Sequence, residues 1–290
     1  MRKAAKRIPL LWSSYIRFRG YQHDRVARSA IRRIKKHAGS NLLPKSPGII
    51  VSLTSFPARI AKSWFAVESI LQQTIHPDRI FLTLSLTQFP DRRIPPSIQD
   101  LVSRGLEILW VEEDTRGYKK LIPIANEFPD SVIITIDDDA IYEPDFIEIL
   151  LGASAEYPKS VIGFRGWEIK FTDGEFAPYD MWQRANYGTP ANRTLLTGVG
   201  GILYPVASLR RDWLCNMKQA LRVAPTSDDI WFWLSARKSG LDIRCLGKDQ
   251  HVTLEFDDPG PSLAQFNLKG GGNDRALAII ANEHKDILPQ

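Results

Sequence analysis

Cysteine and histidine are scarce in this sequence. Cys215 and Cys245 are the only cysteines among 290 residues, and they do not form a CxxC pair. Two cysteines are too few for a disulfide framework or a thiolate zinc site, and such scarcity is typical of a reducing compartment. The five histidines supply little material for the His- and Asp-rich metal centre of a hydrolase. The counts therefore predict an intracellular protein and disfavour a metal-dependent phosphatase or nuclease.

Long hydrophobic runs are also absent. No apolar segment approaches the roughly 18 residues that a membrane-spanning helix needs. Near the N-terminus, the basic residues between Arg2 and Arg7 precede only a short apolar stretch without a small-residue cleavage site, which disfavours a secretory signal. With 43% hydrophobic and 24% charged residues, the composition excludes a disordered or fibrous chain and favours a globular protein.

The net charge of +5 is unevenly distributed along the chain. Residues 1–45 contain 13 Lys and Arg but only one acid, Asp24, whereas residues 46–290 carry a net charge of −7. Aromatic side chains such as Trp12 and Phe18 lie among the basic ones, as in a helix on an anionic membrane surface. The sequence predicts a basic amphipathic helical extension over residues 1–45, which either contacts a membrane peripherally or packs on the body as a solvated helix. The acidic body disfavours nucleic-acid binding.

From residue 46 onwards, strand patterns alternate with helix patterns. Short runs of apolar and β-branched residues predict four strands, at 49–54, 79–85, 106–111 and 131–136. Apolar residues at helical spacing predict helices at 61–73, 97–103, 119–128 and from near Pro144. This alternation predicts an α/β fold whose mostly parallel sheet is flanked by helices. Ligands bind such sheets beyond the carboxyl ends of the strands.

Three consecutive aspartates, Asp137–Asp139, follow the fourth predicted strand. Adjacent carboxylates repel one another and lose hydration when they are buried, unless a cation balances them. Mg²⁺ and Mn²⁺ prefer such oxygen ligands and often bind one or two protein carboxylates together with substrate phosphates. The run therefore predicts a divalent-cation site in preference to a helix cap, for which one aspartate suffices.

These features resemble the glycosyltransferases of the GT-A type, in which an Asp-x-Asp (DxD) motif after a strand holds a metal-bound nucleotide sugar. The segment 135–142, TIDDDAIY, matches that motif. The segments 51–59, VSLTSFPAR, and 68–74, ESILQQT, are similar to the first βα unit of these enzymes. The resemblance covers roughly residues 48–258 and is closest to bacterial sugar transferases related to the large inverting family 2.

The resemblance implies a GT-A (Rossmann-like) domain over residues 46–290, with a nucleotide-sugar-binding half at 46–145 and an acceptor and catalytic-base half at 146–290. It also implies that Mn²⁺ or Mg²⁺ neutralises the departing diphosphate. The implied metal ligands are Asp137, Asp139 and His251. The implied contacts to the nucleotide sugar are Thr54, Ser55, Pro57, Arg59, Lys119, Lys120, Asp137 and Asp138. The acid that reads the base after the second strand in this family is not evident in 85–90, which leaves the base open.

The acceptor half carries a second acidic group. Inverting enzymes of this type place a general base at the start of a helix well downstream of the metal site, and Asp228 and Asp229 fit that description. We interpret both as catalytic, one as the base and the other as its orienting partner; helix capping is the alternative. The segment 195–205 resembles the acceptor-side glycine segment, with a β-bulge as the alternative. The implied acceptor contacts are Gly198, Gly200, Gly201 and Trp231.

Together these residues predict a metal-dependent, inverting glycosyltransferase, specifically a hexosyltransferase. The expected donor is a UDP-sugar, and the expected acceptor is a glycan or lipid-linked glycan in surface polysaccharide synthesis at the cytoplasmic face of the membrane. Two alternatives remain: a retaining transferase of the same fold, and a non-catalytic carbohydrate-binding or scaffold protein with a degenerate transferase fold. Near the C-terminus, residues 270–275 are predicted to form a polar loop before a final helix at 276–283.

Overall fold

The computed structural model describes residue 28 and residues 48–172, 174–247, 252–255 and 265–288. His251 and, apart from Arg28, the basic extension at 1–45 lie outside the described residues, and the roles predicted for them stay predictions. The guanidinium carbon of Arg28 lies 5.1 Å from the centre of the Trp64 ring. Across the described ranges, no helix has both the length and the apolar character needed to cross a membrane.

Strands are numbered here in chain order. Those of the described residues are β1 Ile49–Thr54, β2 Arg79–Ser85, β3 Leu106–Val111, β4 Val132–Thr135, β5 Ala140–Tyr142, β6 Ser160–Gly163, β7 Gly166–Glu168, β8 Phe171–Thr172, β9 Glu175–Phe176, β10 Gln183–Arg184, β11 Thr194–Leu196, β12 Ile202–Pro205, β13 Asp242–Cys245 and β14 Val252–Glu255. Seven of them form the central sheet, in the order β13-β6-β12-β4-β1-β2-β3.

The central sheet is mostly parallel. Strands β1 and β2, β2 and β3, β1 and β4, and β6 and β13 pair in parallel, whereas β12 runs antiparallel between β4 and β6. The four predicted strands are β1 to β4, and the fourth is shorter by one residue at each end than its predicted range, 131–136. The predicted α/β class is confirmed, and this is the Rossmann-like arrangement that the GT-A resemblance implies.

Helices are also numbered in chain order. The α-helices of the described residues are α1 Trp64–Leu71, α2 Pro96–Val102, α3 Ile122–Glu127, α4 Phe146–Glu156, α5 Arg211–Leu214, α6 Met217–Val223, α7 Asp228–Lys238 and α8 Gly272–Glu283.

Two predicted helices and one predicted loop differ from what is observed. The range 61–73 contains a 3₁₀ turn, Ile60–Lys62, followed by α1. The range 119–128 is divided between a 3₁₀ turn, Arg116–Lys120, and α3, because Pro123 lacks an N–H and is tolerated only in the first turn of a helix. The predicted loop at 270–275 is wrong from residue 272 onwards, where α8 begins.

Helices cover both faces of the central sheet. Along β1, Ile50 belongs to one buried cluster, with Phe232 of α7 and Leu277 of α8, whereas Val51 belongs to a second cluster, with Phe65 of α1. Alternate strand residues point to opposite faces, so each face requires its own apolar layer. These two layers hold the strands rigidly, which fixes the position of the loops at their carboxyl ends.

Candidate functional site

A cleft of about 520 Å³ lies at the carboxyl ends of strands β1 to β4. These ends contribute residues 54–56, Gln88, Asp114 and the aspartate run 137–139 to its wall. The wall is completed by residues from later in the chain, among them Arg165, Trp167, Tyr179, Thr197, Gly198, Asp228, Asp229, Asn267 and Asn273. The two acidic groups predicted from sequence therefore line one cavity.

Arg59 joins the loop after β1 to the aspartate run. Its Nη1 donates to Asp138 Oδ1 at 2.9 Å and to Asp139 Oδ2 at 2.8 Å. Ser55 Oγ donates to the other oxygen of Asp138 at 2.5 Å. Asp138 is only 5% exposed, so these partners balance a carboxylate that burial would otherwise disfavour.

The aspartate run carries more negative charge than its protein partners balance. Burial, and then the charge of Asp137, raise the pKa of Asp139 to about 7, although Arg59 acts in the opposite direction. A divalent cation would relieve this repulsion, and a donor set of carboxylate oxygens fits Mg²⁺ or Mn²⁺. In the described part of the chain, no three His, Cys, Asp or Glu side chains converge on a metal-binding arrangement. A cation at Asp137 and Asp139 would take its remaining ligands from a bound diphosphate, from water, or from the predicted ligand His251, which lies outside the described residues.

Asp229, in the first turn of α7, forms another part of the wall. The backbone N–H of Gly198 donates to both of its carboxylate oxygens, with N–O distances of 3.1 and 3.2 Å. Burial, and then the charge of Asp228, raise the pKa of Asp229 to about 7, while Lys120 and the Gly198 N–H act to lower it. A carboxylate with a pKa near neutrality is suited to accept a proton near pH 7.

Lys120 connects the two acidic groups, Asp137–Asp139 and Asp228–Asp229. The Nζ of Lys120 lies 3.0 Å from Asp137 Oδ1 and 3.1 Å from Asp228 Oδ2. Asp228 also packs closely against the 3₁₀ turn, since a Cβ at Gly117 would lie 2.5 Å from its Cγ. The lysine is 5% exposed, so one buried ammonium spans the aspartate run and the start of α7.

Lys119 has a different set of partners. Its Nζ donates to Asp114 Oδ1 at 2.5 Å and to Gln88 Oε1 at 3.2 Å, and Gln88 Nε2 donates to Asp114 Oδ2 at 2.7 Å. The three side chains line the cleft beside the ends of β2 and β3. An acid of the loop after β3, Asp114, therefore lies beside the end of β2.

The glycine segment divides into two parts. Of the three glycines predicted to contact an acceptor, Gly198 lines the cleft, whereas Gly200 and Gly201 do not. A Cβ at Gly200 would lie 2.6 Å from the Cβ of Arg165, and one at Gly201, whose φ is 73°, would overlap the Phe146 ring. These two glycines therefore allow close packing behind the cleft, and the structure gives them no surface for an acceptor.

Trp231 is not positioned to contact an acceptor. Its side chain is fully buried, and its Nε1 donates to the carbonyl of Leu214 at 3.1 Å. Trp182 and Trp233 are also buried. Pro57 is exposed and lies outside the cleft lining, next to Phe56, which is part of it. The burial of these tryptophans reflects core packing, which the residue type alone does not distinguish from ligand binding.

We expect Trp231→Ala to destabilise the fold by about 3–5 kcal/mol, the usual range for truncating a buried aromatic side chain. Urea unfolding measures this loss. The milder Trp231→Phe variant should retain the KM of the wild type for an acceptor. A raised acceptor KM in that variant would restore Trp231 as an acceptor contact.

Some residues in and next to the cleft were not found by sequence reasoning. Tyr142 is one of the structural links that was missed: its hydroxyl accepts from the Asp137 N–H at 3.0 Å and donates to the Val199 carbonyl at 3.3 Å. Asn273 was assigned to a loop but lies in the first turn of α8, where it accepts from Ser227 Oγ at 2.6 Å. The Tyr142–Val199 and Ser227–Asn273 contacts join distant parts of the chain, and no local pattern indicates them.

Gly198→Ala is expected to disturb the cleft directly. An added Cβ would overlap Lys120 Nζ and lie 3.2 Å from Asp137 Oδ1 and 3.3 Å from Asp229 Oδ1. We expect Gly198→Ala to lose about 1–3 kcal/mol in stability. Because the added Cβ should shift the charged groups of Lys120, Asp137 and Asp229 by about 1 Å, we also expect the catalytic rate to fall about 10²-fold. Gly152→Ala in α4 is the matched control, since its Cβ meets nothing within 4 Å. It should stabilise the protein by about 0.5–1 kcal/mol; equal behaviour of the two variants would contradict the prediction.

The sequence matches no family model and no curated protein. Among solved structures, a 4-diphosphocytidyl-2C-methyl-D-erythritol synthase is similar with a TM-score of 0.45 and 10% identity, over 73% of this chain and 94% of that one. A CMP:2-keto-3-deoxy-manno-octonic acid synthetase complexed with CTP has a TM-score of 0.40 and 16% identity, over 84% and 100% of the two chains. Residues 1–349 of S. aureus TarS in complex with UDP have a TM-score of 0.40 and 11% identity, over 69% and 58%. The likeness to these structures is one of fold alone.

Proposed function

We propose that this protein is a metal-dependent glycosyltransferase that moves a hexose from a nucleotide diphosphate sugar to a glycan acceptor with inversion of the anomeric centre. The observation that supports this most strongly is a single cleft at the carboxyl edge of the sheet. In that cleft, the buried Lys120 contacts one residue of each acidic group: Asp137 of Asp137–Asp139, and Asp228 of Asp228–Asp229.

The donor half of the proposal uses the loops after β1 and β4. Thr54, Ser55 and Arg59 line the cleft next to the aspartate run, where a nucleoside diphosphate would bind beyond the strand ends. A divalent cation held by Asp137 and Asp139 would neutralise the charge that develops on the leaving diphosphate. The expectation that the base is uracil belongs to this proposal and rests on the resemblance.

The acceptor half uses Asp229 as the general base. Asp229 removes the proton from an acceptor hydroxyl while that oxygen forms a bond to the anomeric carbon. The bond between that carbon and the diphosphate oxygen breaks, and the nucleoside diphosphate leaves with the electron pair. Attack opposite to the leaving group inverts the anomeric centre. Asp228, which is held by Lys120 and packed on Gly117, keeps the start of α7 in place.

The acceptor class and the location of the protein are proposed from its sequence. A surface glycan or lipid-linked glycan follows from the resemblance, and peripheral membrane contact follows from the basic residues of 1–45. Vesicle co-sedimentation of the full chain on anionic and neutral lipids tests the second point. Equal binding to both lipids would contradict it.

Thermal stability with a panel of nucleoside diphosphates, with and without Mn²⁺, tests the donor site. A ligand that binds the native state raises the melting temperature by mass action. We expect one nucleotide to raise it only when Mn²⁺ is present, and that nucleotide identifies the base. If no nucleotide has an effect in either condition, the donor site is refuted and a binding or scaffold protein is favoured. Once a donor is known, NMR of the anomeric configuration of the product separates inversion from retention.

A further inference from the structure

Lys120 has partners that its predicted role as a nucleotide contact does not explain. Its ammonium is buried, and it contacts Asp137 from the donor half and Asp228 from the acceptor half. The hydrogen bond to Asp137 Oδ1 is 3.0 Å long, and the ion pair with Asp228 Oδ2 is 3.1 Å. A lysine that served only to bind a diphosphate would not need both partners.

The position of this ammonium is tightly restricted. Gly198 lies directly against Nζ, where an added Cβ would overlap it. The same glycine donates its N–H to the carboxylate of Asp229. One ammonium group is thus in contact with Asp137, Asp228 and the residue that fixes Asp229, and any shift of Nζ changes the spacing between the two acidic groups.

The charges around Lys120 are consistent with a permanent ammonium. The buried ammonium is paired with two carboxylates, those of Asp137 and Asp228. A buried charge is tolerated only when it is paired, so removing the lysine leaves these acids without their shared cation. A divalent cation at Asp137 would lie next to this ammonium and would be repelled by it.

We propose that Lys120 is a positioning residue that aligns Asp228 and Asp229 with Asp137 and competes with a divalent cation for the Asp137 carboxylate. The part that concerns the base rests on the proposed function. Lys120 would keep its contact with Asp228 if a divalent cation took over the Asp137 carboxylate, so that occupation of the donor side and alignment of the base would be coupled. Coupling of this kind would favour sugar transfer only when the metal and donor are bound.

Lys120→Met tests the proposal, because methionine retains most of the side-chain length without the charge. Removing the neighbouring positive charge should tighten Mn²⁺ binding at least about tenfold, as measured by electron paramagnetic resonance titration without a donor. The kcat for release of nucleoside diphosphate should fall about 10²-fold because the base is misaligned, while the donor KM stays unchanged. A lysine with a purely structural role would instead weaken metal binding when it is lost.

Lys119→Met is the matched control. Lys119 is the adjacent residue, is 2% exposed and is paired with Asp114 instead of with the two acidic groups. Its loss removes an equally buried ammonium from the same 3₁₀ turn, so we expect the Mn²⁺ affinity of Lys119→Met to equal that of the wild type. A similar gain in both variants would mean that net charge alone sets the affinity, and it would overturn the proposed competition.

A second pair of variants covers the case in which Lys120→Met fails to fold. Asp228→Asn alone is compared with Lys120→Met/Asp228→Asn, which removes the ion pair as a unit. The double variant should bind Mn²⁺ about tenfold more tightly than the single one. Equal or weaker binding overturns the inference.

The kinetic results separate this inference from the proposed function. A raised donor KM with unchanged kcat in Lys120→Met would make Lys120 a diphosphate contact and overturn the positioning role. If the wild type binds Mn²⁺ but releases no nucleoside diphosphate from any donor, the proposed function fails by itself. The Mn²⁺ titrations then still decide whether Lys120 competes for Asp137.

Discussion

Asp229→Asn is expected to lower kcat for sugar transfer by about 10²–10⁴-fold, the usual contribution of a general base. The amide cannot accept the proton of the acceptor hydroxyl, but its oxygen can still accept from the Gly198 N–H. Nucleoside diphosphate binding in the presence of Mn²⁺ should therefore stay close to that of the wild type. Steady-state kinetics and the nucleotide-dependent melting temperature measure the two effects separately.

The matched control is Asp212→Asn. Asp212 also lies in the first turn of a helix, but it is exposed and pairs with Arg210 outside the cleft lining. We expect its kcat to equal that of the wild type. If Asp229→Asn retained wild-type kcat as well, Asp229 would not be the base, and a retaining mechanism or another base would be required.

Although Asp229→Asn should lower kcat, it should raise the stability of the folded protein at pH 8. Because the pKa of Asp229 is raised to about 7 in the folded protein, the native state binds its proton more tightly than the unfolded chain does. The cost of ionising this buried group appears as the pH rises from about 4, its unfolded pKa, and is complete above about 7. The neutral amide of Asp229→Asn has no such cost, so the variant should be equal to the wild type at low pH and more stable at pH 8. Urea unfolding in metal-free buffer at both pH values measures the difference.

Asp139→Asn is expected to abolish the Mn²⁺-dependent stabilisation by a nucleoside diphosphate. At a ligand concentration of 100 times Kd, the stabilisation of the wild type would be about 2.7 kcal/mol, and the variant should lose nearly all of it. Asparagine keeps an oxygen that can accept from Arg59, so the link to the β1 loop is retained. Without ligand, Asp139→Asn should also be more stable than the wild type above about pH 7. In that range the Asp139 carboxylate of the wild type is ionised, which burial and the charge of Asp137 disfavour.

Asp145→Asn provides the comparison for this second prediction. Asp145 precedes α4, six residues after Asp139, and lies outside the cleft lining. Its variant should show the full Mn²⁺-dependent shift. If Asp139→Asn showed that shift too, the cation would not be held by Asp139.

Some elements of the fold could be read from local sequence because their signals are local. The ranges of β1, β2 and β3 equal those predicted, since each is a continuous apolar or β-branched run that the flanking residues interrupt clearly. The start of α8 could not be predicted in the same way. Its glycines indicate a loop, but Asp274 accepts from the Tyr179 N–H at 2.8 Å, a contact across 95 residues. Tertiary contacts of this kind outweigh local propensity.

In the candidate site, too, local features could be predicted from the sequence and long-range contacts could not. The sequence alone identifies the runs Asp137–Asp139 and Asp228–Asp229, because adjacent acids at a strand end or a helix start are unusual. Their connection through Lys120 is not visible, because it depends on how α7 packs against the sheet. The pairing of Asp114 with Gln88 likewise depends on β2 and β3 being neighbours.

The release of nucleoside diphosphate from a panel of nucleotide sugars, followed by ³¹P NMR with Mn²⁺ present, tests the central claim most directly. It requires no knowledge of the acceptor, since water can replace it slowly at the anomeric carbon. We expect the wild type to release the diphosphate from one donor, and Asp229→Asn and Asp139→Asn to release it far more slowly. Equal rates in all three proteins, or no release by the wild type from any donor, would contradict the assignment of this cleft to sugar transfer.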